Sequence, residues 1–429
     1  MTMLLRDVEV RGRRADVRLE AGHITTIGSL RPRPREDVID GKGGALLPGL
    51  TDHHVHLLAW AAALQSVPCG PPAVRTEQDL HRALARATPD AAGWIRGVGC
   101  ALSLDAQALD RLHPHHPVRL QHRGGSLWML NTAAIRRLGL DQNDDPGIER
   151  ATDGSPTGRL WRADHLVRNI SEPPDLRPVA ETLARWGVTS VTDATPGLTA
   201  IPPIPQHVRL LGDPAGRTPW KIVIHDHALP GIQPLVSEIA HRHAAGRPVA
   251  LHCLTTEALL LALAAFDEAG SLNGDRLEHA AVVPPWALTR IAAHGLRVVT
   301  QPALLADRGS DMLREAPGAE LYRYGSLLRA GVMVAPSSDA PYGPADPWQV
   351  MAAARDRTLA PGERVSTQVT LHGYLTAGDL PRSGPMTVHT GMAADLLLLE
   401  GPLQEVLQEP DAGRVRTTII GGRVLFQRA

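Results

Sequence analysis

The sequence predicts an α/β protein: a (β/α)8 TIM-like barrel with a small β-sandwich domain formed by both termini and an inserted α/β lobe after strand 1. Three observations predict this fold. Short apolar strands alternate with helical stretches in the middle of the chain, strand patterns occupy both ends, and residues 65–165 do not follow the alternation. We therefore expect residues 1–49 with 386–429 to form a composite sandwich, and residues 50–385 to form the barrel domain with the lobe at 65–165 inside it.

The two ends of the chain share one pattern. Residues 1–49 alternate short apolar and polar stretches, and the stretches 417–420 and 423–426 flank Gly421-Gly422, a typical hairpin turn. Neither set of strands is large enough to bury a core alone. One sandwich built from both ends would bury both.

Eight candidate strands define the barrel, and helical stretches such as 257–269 and 286–294 lie between them. The strands are 45–56, 188–193, 207–211, 221–225, 249–252, 276–279, 296–301 and 331–339. This pattern is typical of βα units on a parallel sheet, and eight such units close a barrel of about 250 residues.

Composition excludes several classes of partner. The 429 residues include 44 basic and 45 acidic side chains, so the net charge of -1 offers no attraction for nucleic acid or an anionic membrane. Three cysteines without Cys-x-x-Cys spacing favour a reducing compartment. The amino end lacks the apolar stretch of a signal peptide, and no apolar run reaches the roughly 18 residues of a membrane span. We expect a cytoplasmic protein that acts on a small molecule.

The first candidate site is a His-x-His pair at the end of the first barrel strand. His54 and His56 are two residues apart, so both imidazoles point into the barrel and can bind one metal ion. A bare His-x-His is also found as two polar residues at the start of a loop. The preceding Pro48-Gly49 and Asp52 strengthen the metal interpretation.

Three more polar residues end apolar strands: His252, His279 and Asp339. The carboxyl ends of barrel strands are where enzymes of this architecture assemble their sites. A buried imidazole or carboxylate is costly unless a metal ion or a partner meets it. One such residue alone is often an ordinary polar side chain, but all three together with the His-x-His pair predict a metal centre.

Lys221 opens the fourth candidate strand, and only Lys221 and Lys42 are lysines among the 44 basic residues. In a chain that uses arginine for its surface charge, a retained lysine indicates chemistry that a guanidinium cannot perform. A neutral amine can add carbon dioxide and become a carbamate that bridges two cations, whereas arginine stays protonated. Chance retention is the alternative, since Lys42 has no comparable role.

These residues resemble a known family. The order His54-x-His56, Lys221, His252, His279, Asp339 along eight βα units resembles the amidohydrolase superfamily in its binuclear form. The branch known as amidohydrolase family 3, which includes N-substituted formamide deformylases, is similar through these motifs: 47–56, Leu-Glu-His-Ala at 277–280, Thr-Gln-Pro at 300–302, Ser-Asp-Ala-Pro at 338–341, Asp346-Pro347 and 391–396. The lobe is similar at 94–99, 117–120 and 131–135.

The resemblance implies a hydrolase that cleaves a C–N bond of an amide, a cyclic amide or an N-substituted formamide. Two divalent ions, zinc first, would share a hydroxide that attacks the carbonyl carbon. The implied metal ligands are His54 and His56 on one ion, His252 and His279 on the other, carbamylated Lys221 as the bridge and Asp339, which is also the proton shuttle. A homodimer is implied by family habit alone.

Substrate recognition is expected from five polar residues: His225, His122, Arg123, Ser126 and Arg308. His225 has the inward parity of Lys221 if both lie on one strand. The chain departs from the family pattern at Ser126, at Arg162 and at 225–227, all on the substrate side. The metal chemistry therefore carries over more safely than any particular substrate.

Three other functions stay open. A mononuclear deaminase of the same superfamily usually has a Glu three residues after the strand-five His, but here Glu257 follows His252 by five residues. An esterase or lactonase could use the same binuclear site. A metal-free scaffold would typically have lost ligands, whereas all six positions are filled here.

Overall fold

The computed structural model describes residues 2–428 except 168–169, 171–172, 307–311, 314–317 and 378–383. The chain forms two compact units, one of Met1–Leu57 with Arg177–Ala429 and one of Leu58–Leu176. We call the first the barrel unit and the second the inserted unit. The predicted insertion, 65–165, lies within the bounds of the inserted unit.

The barrel unit begins with five short strands. They are β1 (Thr2–Val10), β2 (Arg13–Glu20), β3 (His23–Gly28), β4 (Asp37–Asp40) and β5 (Leu46–Pro48). The first four form one sheet in the order β3-β2-β1-β4, in which only β4 runs parallel to its neighbour. Side chains on one face of this sheet, such as Leu5 and Val17, are buried in one apolar cluster.

The first barrel strand, β6 (Leu50–Val55), leads into the inserted unit. Its elements are α1 (Leu57–Leu64), β7 (Val67–Pro68), α2 (Glu77–Ala85), β8 (Ile95–Cys100), α3 (Ala106–Leu112), β9 (Val118–His122), β10 (Leu127–Leu130), α4 (Thr132–Leu138), β11 (Ile148–Arg150), β12 (Pro156–Trp161) and α5 (Asp164–Val167). Six strands form one mixed sheet in the order β11-β12-β10-β9-β8-β7. Two apolar clusters, one around Leu120 and one around Trp94, form the core of this unit.

The rest of the barrel follows the inserted unit. Its elements are α6 (Arg177–Arg185), β13 (Val188–Asp193), β14 (His207–Leu210), β15 (Trp220–Val223), α7 (Ile232–Ala244), β16 (Val249–Cys253), α8 (Thr256–Ala269), β17 (Arg276–His279), α9 (Pro285–Ala293), β18 (Arg297–Thr300), α10 (Tyr324–Arg329) and β19 (Met333–Pro336). The hydrogen-bonded orders are β14-β13-β6 and β15-β16-β17-β18-β19, all parallel.

Backbone hydrogen bonds join these two sets of strands at both seams. Asp339 donates to the carbonyl of His54 over 2.9 Å, and His56 donates to the carbonyl of Ala340 over 2.8 Å. At the other seam Gly212 donates to the carbonyl of Pro219 over 2.8 Å. The predicted α/β barrel of eight strands is therefore confirmed.

Two of the eight expected βα units lack a helix, so this part of the prediction is wrong. Residues 194–206 and 211–219, all within the described chain, form turns and irregular segments instead. Proline removes a backbone donor and restricts the residue before it, which disfavours a helix. The responsible prolines of the first segment are Pro196, Pro202, Pro203 and Pro205.

The predicted first strand, 45–56, is two strands in the structure. The predicted strand breaks at Gly49. β5 belongs to a sheet formed with strands from the other end of the chain, and β6 belongs to the barrel. A Cβ atom at Gly49 would lie 2.1 Å from the side chain of Thr189. The chain can therefore pass from one sheet to the other only where no side chain is present.

The chain ends by returning to the terminal sheets. After the barrel come α11 (Pro347–Asp356), α12 (Thr367–Tyr374), β20 (Leu396–Leu399), α13 (Leu403–Gln408), β21 (Val415–Ile420) and β22 (Arg423–Gln427). The second terminal sheet has the order β22-β21-β20-β5. Leu5 and Ile24 from the first sheet share one apolar cluster with Leu396 and Ile419 from the second. The two ends of the chain thus bury their apolar faces together.

The cysteines form no disulfide bond among the described residues. Cys69, Cys100 and Cys253 are each buried with a free thiol. Among the helices that the structure describes, none is both long and apolar enough to pass through a membrane.

Asp346 caps α11 and provides a test of the fold. Its Oδ1 accepts the backbone N–H of Trp348 over 2.8 Å, and burial raises the pKa of Asp346 to about 6 from 3.8. The pKa of Asp346 is therefore higher in the folded chain than in the unfolded chain. Ionisation of Asp346 consequently lowers the free energy of unfolding, by up to about 3 kcal/mol above pH 6. Asp346→Asn keeps the capping oxygen and should unfold at higher urea than the wild type at pH 8. The gain should shrink as the pH falls toward 4, and a gain that is equal at both pH values would contradict this assignment.

Candidate metal centre

Four histidines gather inside the barrel at the carboxyl ends of its strands. His54 lies on β6 and His56 follows the end of that strand directly, whereas His252 lies on β16 and His279 on β17. The ring centroids of His54 and His279 are 4.7 Å apart, those of His252 and His279 are 4.5 Å apart, and those of His54 and His56 are 5.4 Å apart. The structure therefore brings together the histidines that the sequence marks as ligands.

The two nitrogens of His54 have different partners. Nδ1 hydrogen-bonds a carboxylate oxygen of Glu278, and because an ionised carboxylate only accepts, the hydrogen sits on Nδ1. Burial, followed by the charge of Lys221, lowers the pKa of His54 to about 3. The contact with Glu278 is therefore a hydrogen bond from a neutral ring, and Nε2 carries a lone pair.

The Asp339 carboxylate faces this lone pair. Its Oδ1 lies 3.5 Å from Nε2 of His54 and 3.3 Å from Nε2 of His56. Burial alone would raise the pKa of Asp339, but His56, His279 and His54 together hold it below its usual range. Both Nε2 of His54 and Oδ1 of Asp339 are buried without a hydrogen-bond partner.

This arrangement fits a cation. Two electron-rich atoms that face each other in a buried site repel unless a positive charge lies near both. Ligand atoms of His54, His56 and Asp339 all lie within 4.8 Å of one another. Imidazole and carboxylate are the ligand types that suit zinc and neighbouring divalent metals.

His252 and His279 add a second pair of neutral imidazoles beside this group. Burial lowers the pKa of both rings, with further lowering by nearby positive groups such as Lys221. Nδ1 of His279 donates to Oε1 of Gln301 over 2.9 Å, and Nε2 of Gln301 donates to Oγ of Ser337 over 2.8 Å. These two hydrogen bonds place the hydrogen of the neutral His279 ring on Nδ1 and leave the lone pair on Nε2.

Two of these residues have a left-handed backbone. The φ angles are 68° at His279 and 55° at Asp339, a conformation that costs energy for residues other than glycine. Backbone hydrogen bonds hold Asp339 in it, from its own N–H to His54 and from Tyr342 to its carbonyl. Strained backbone held in this way is typical of functional sites.

Lys221 interacts electrostatically with three of these histidines. It lies on β15 and pairs in register with Ala250, two residues before His252 on β16. Burial lowers the pKa of Lys221, and the charge of Glu278 opposes this. In turn, Lys221 lowers the pKa of His54, His252 and His279. Lys42, by contrast, is exposed in the loop before β5.

The residues expected to contact substrate lie in three places. His225 is exposed in a turn after β15, with its ring 5.5 Å from that of His227. Because β15 ends at Val223, the expected strand parity of His225 is wrong. His122 is the last residue of β9, and Arg123 and Ser126 lie in the turn that leads to β10 in the inserted unit. Arg308 lies outside the described residues.

Three supporting residues, Glu278, Arg276 and Thr195, were given no role from the sequence, whereas Asp52 was noted there beside the His-x-His pair. Glu278 and Arg276 form a buried ion pair on β17, and Oγ1 of Thr195 lies 3.0 Å from Nδ1 of His56. Oδ1 of Asp52 accepts the N–H groups of His54 over 3.2 Å and of Ser338 over 3.3 Å. The alternation of Arg276 and Glu278 around Leu277 was a usable signal, since two residues that are two apart in a strand point to the same face.

The protein has an eight-stranded parallel barrel with imidazoles and a carboxylate at the carboxyl ends of its strands. This arrangement is typical of metal-dependent barrel hydrolases. The chain matches the model of the amidohydrolase family over residues 37–209 and 233–426. It therefore belongs to that family, in the family 3 branch, and is a metal-dependent amidohydrolase. The unmatched residues 210–232 include Lys221. The family match therefore gives no evidence for a role of this lysine, and the case for one is made from its place in the barrel.

Relatives and solved structures are similar along nearly the whole chain. An N-substituted formamide deformylase of Arthrobacter pascens is 24% identical, over 92% of this chain and 91% of that protein. A metal-dependent hydrolase of Pyrococcus horikoshii OT3 has the same fold, with a TM-score of 0.72 and 16% identity over 99% of this chain and 100% of the other. A metal-dependent hydrolase of Pyrococcus furiosus gives a TM-score of 0.69 and 20% identity over 93% and 98%.

Proposed function

We propose that this protein hydrolyses a C–N bond in a small amide, a cyclic amide or an N-substituted formamide. The observation that carries the proposal is the buried, unpartnered Oδ1 of Asp339, which lies 3.5 and 3.3 Å from the Nε2 atoms of His54 and His56. A carboxylate in this position can both help to hold a cation and accept a proton from water. The similarity to an N-substituted formamide deformylase supports the choice of bond.

The residues present fit two divalent cations, with zinc as the first choice. His54 and His56 would hold one ion and His252 and His279 the other, with Asp339 as a further ligand. Bound cations would polarise the substrate carbonyl and lower the pKa of the attacking water. The protein supplies neutral imidazoles for this purpose, because burial lowers the pKa of His54, His252 and His279.

Asp339 is the proposed proton shuttle. Its carboxylate takes a proton from the attacking water and then gives it to the leaving nitrogen, whose departure as an amine completes the cleavage. The left-handed backbone at Asp339 and its bonds to His54 and Tyr342 hold the carboxylate at one position during both transfers. No covalent bond between enzyme and substrate is required.

Lys221 is the proposed bridge between the two ions. Its amine adds carbon dioxide with the release of one proton and becomes an anionic carbamate with two oxygen ligands. Burial favours the neutral amine that this reaction needs, since it lowers the pKa of Lys221. Arginine in this position could not react.

The reaction class can be tested with a substrate panel after metal removal. The chain is first treated with a chelator and then reloaded with zinc, and both forms are assayed with N-formyl amines, cyclic amides, matched esters or lactones, and amidine-like ring compounds. We expect the reloaded form to release amine from one of the amide groups and the stripped form to be inactive. Metal analysis should find two ions per chain.

The other outcomes separate the alternatives. Ammonia release from an amidine-like ring with one ion per chain would favour a deaminase instead. Turnover of esters or lactones without any amide would favour an esterase. A purified chain that binds no zinc would overturn the hydrolase proposal. The roles of His225, His122, Arg123, Ser126 and Arg308 in substrate contact stay predictions.

A further inference from the structure

We infer that Glu278 is a positioning residue of the metal centre, whose carboxylate fixes His54 in the tautomer that leaves Nε2 free for the cation. The inference rests on the proposed function in so far as it takes His54 as a metal ligand. It assigns a role to a residue that the sequence motifs mark only as the neighbour of His279. It also identifies what holds the most buried ligand ring in place.

Each oxygen of Glu278 has its own partner. Oε1 accepts from Nε of Arg276, and Oε2 accepts from Nδ1 of His54. The side chains of Glu278 and His54 are 0% and 1% exposed, so water does not compete for either contact. A neutral imidazole with its hydrogen on Nδ1 must present a lone pair at Nε2, and this is the atom that faces Asp339.

The contact between Glu278 and His54 crosses the interior of the barrel. Glu278 lies on β17, whose neighbours are β16 and β18, whereas His54 lies on β6, whose neighbour in the sheet is β13. Arg276 strengthens the link, because its Nη2 donates to the carbonyl of His53 over 3.1 Å. Two contacts between the same strands therefore fix both the backbone and the ring orientation of the His54 segment.

A role in stability alone does not account for this geometry. The ion pair with Arg276 uses one oxygen of Glu278. The second oxygen accepts from Nδ1 of His54, and this hydrogen bond decides the tautomer of the ring. Carboxylate partners of metal-binding histidines orient the ring and raise its basicity, and their loss typically weakens metal affinity by about 10- to 100-fold.

The test measures zinc affinity rather than turnover. Apo forms of the whole chain are titrated with zinc in competition with a chromophoric chelator, and the Kd is compared between variants. In Glu278→Gln the amide oxygen still accepts from Nδ1 but lacks the charge, so we expect about 10-fold weaker binding. In Glu278→Leu the acceptor is lost, and we expect about 100-fold weaker binding.

Two further variants serve as controls. Glu363→Gln removes another buried carboxylate, which accepts from Ser326 and contacts Arg323, and should leave the zinc Kd unchanged. Arg276→Met combined with Glu278→Leu removes both buried charges and so avoids an unpaired arginine. It should lose at least as much zinc affinity as Glu278→Leu alone, because the bond from Arg276 to the carbonyl of His53 is lost as well.

The outcomes are distinct from those of the proposed reaction. If Glu278→Gln and the double variant bind zinc within twofold of the wild type, the inference is wrong. A substrate panel without turnover, together with a zinc Kd that depends on Glu278, would sink the proposed reaction and support the inference. A wild-type chain that binds no zinc would overturn both.

Discussion

Asp339→Asn should lower kcat/KM by on the order of 1000-fold while zinc remains bound. The amide keeps one oxygen in the position of Oδ1, which lies between His54 and His56, but it cannot accept a proton from water or return one to the leaving nitrogen. Steady-state kinetics with the preferred substrate of the panel and zinc analysis of the same sample measure the two effects separately.

Asp267→Asn is a matched control for this substitution. Asp267 lies on α8, contacts Arg290 and His294 and is about half exposed, so its loss should change neither kinetics nor zinc content. Unchanged activity of Asp339→Asn would exclude Asp339 as the shuttle. Complete loss of zinc in this variant would reassign Asp339 mainly to metal binding.

Lys221→Ala should lose both activity and the paired metal ions, because it removes the amine that forms the proposed bridge. Addition of a short carboxylic acid should restore part of the zinc content and part of the turnover, since a free carboxylate can enter the space left by the side chain. The measurement is zinc per chain and kcat with and without the acid.

The chain offers two controls for the lysine. Lys221→Arg keeps a positive charge but cannot form a carbamate, so it should behave as Lys221→Ala does without added acid. Lys42→Ala removes the other lysine, which is exposed in a loop, and should be indistinguishable from the wild type. A fully active Lys221→Arg with two ions bound would contradict the bridge.

The barrel could be predicted because its strands are marked locally. Val249–Cys253, for example, is a short, largely apolar run with His252 near its end, and it is a strand in the structure. The two missing helices were also marked locally, by prolines such as Pro202 and Pro203. Because strands and helices alternate regularly elsewhere in the barrel, helices were also predicted here, although the local sequence disfavours them.

The supporting residues of the site were harder to predict because their partners are far away in sequence. Glu278 and His54 are 224 residues apart, and Thr195 and His56 are 139 residues apart. No local pattern reports such a contact. The histidines could be found from their strand-end positions, but the residues that set their tautomers become visible only when the barrel is closed.

The shared core of the two terminal sheets has a consequence for biosynthesis. Strands β1 to β5 emerge from the ribosome well before β20 to β22, which complete their core. Translation of the intervening chain takes tens of seconds at typical rates. Throughout this interval the apolar face around Leu5 and Ile24 lacks the strands that cover it in the folded chain.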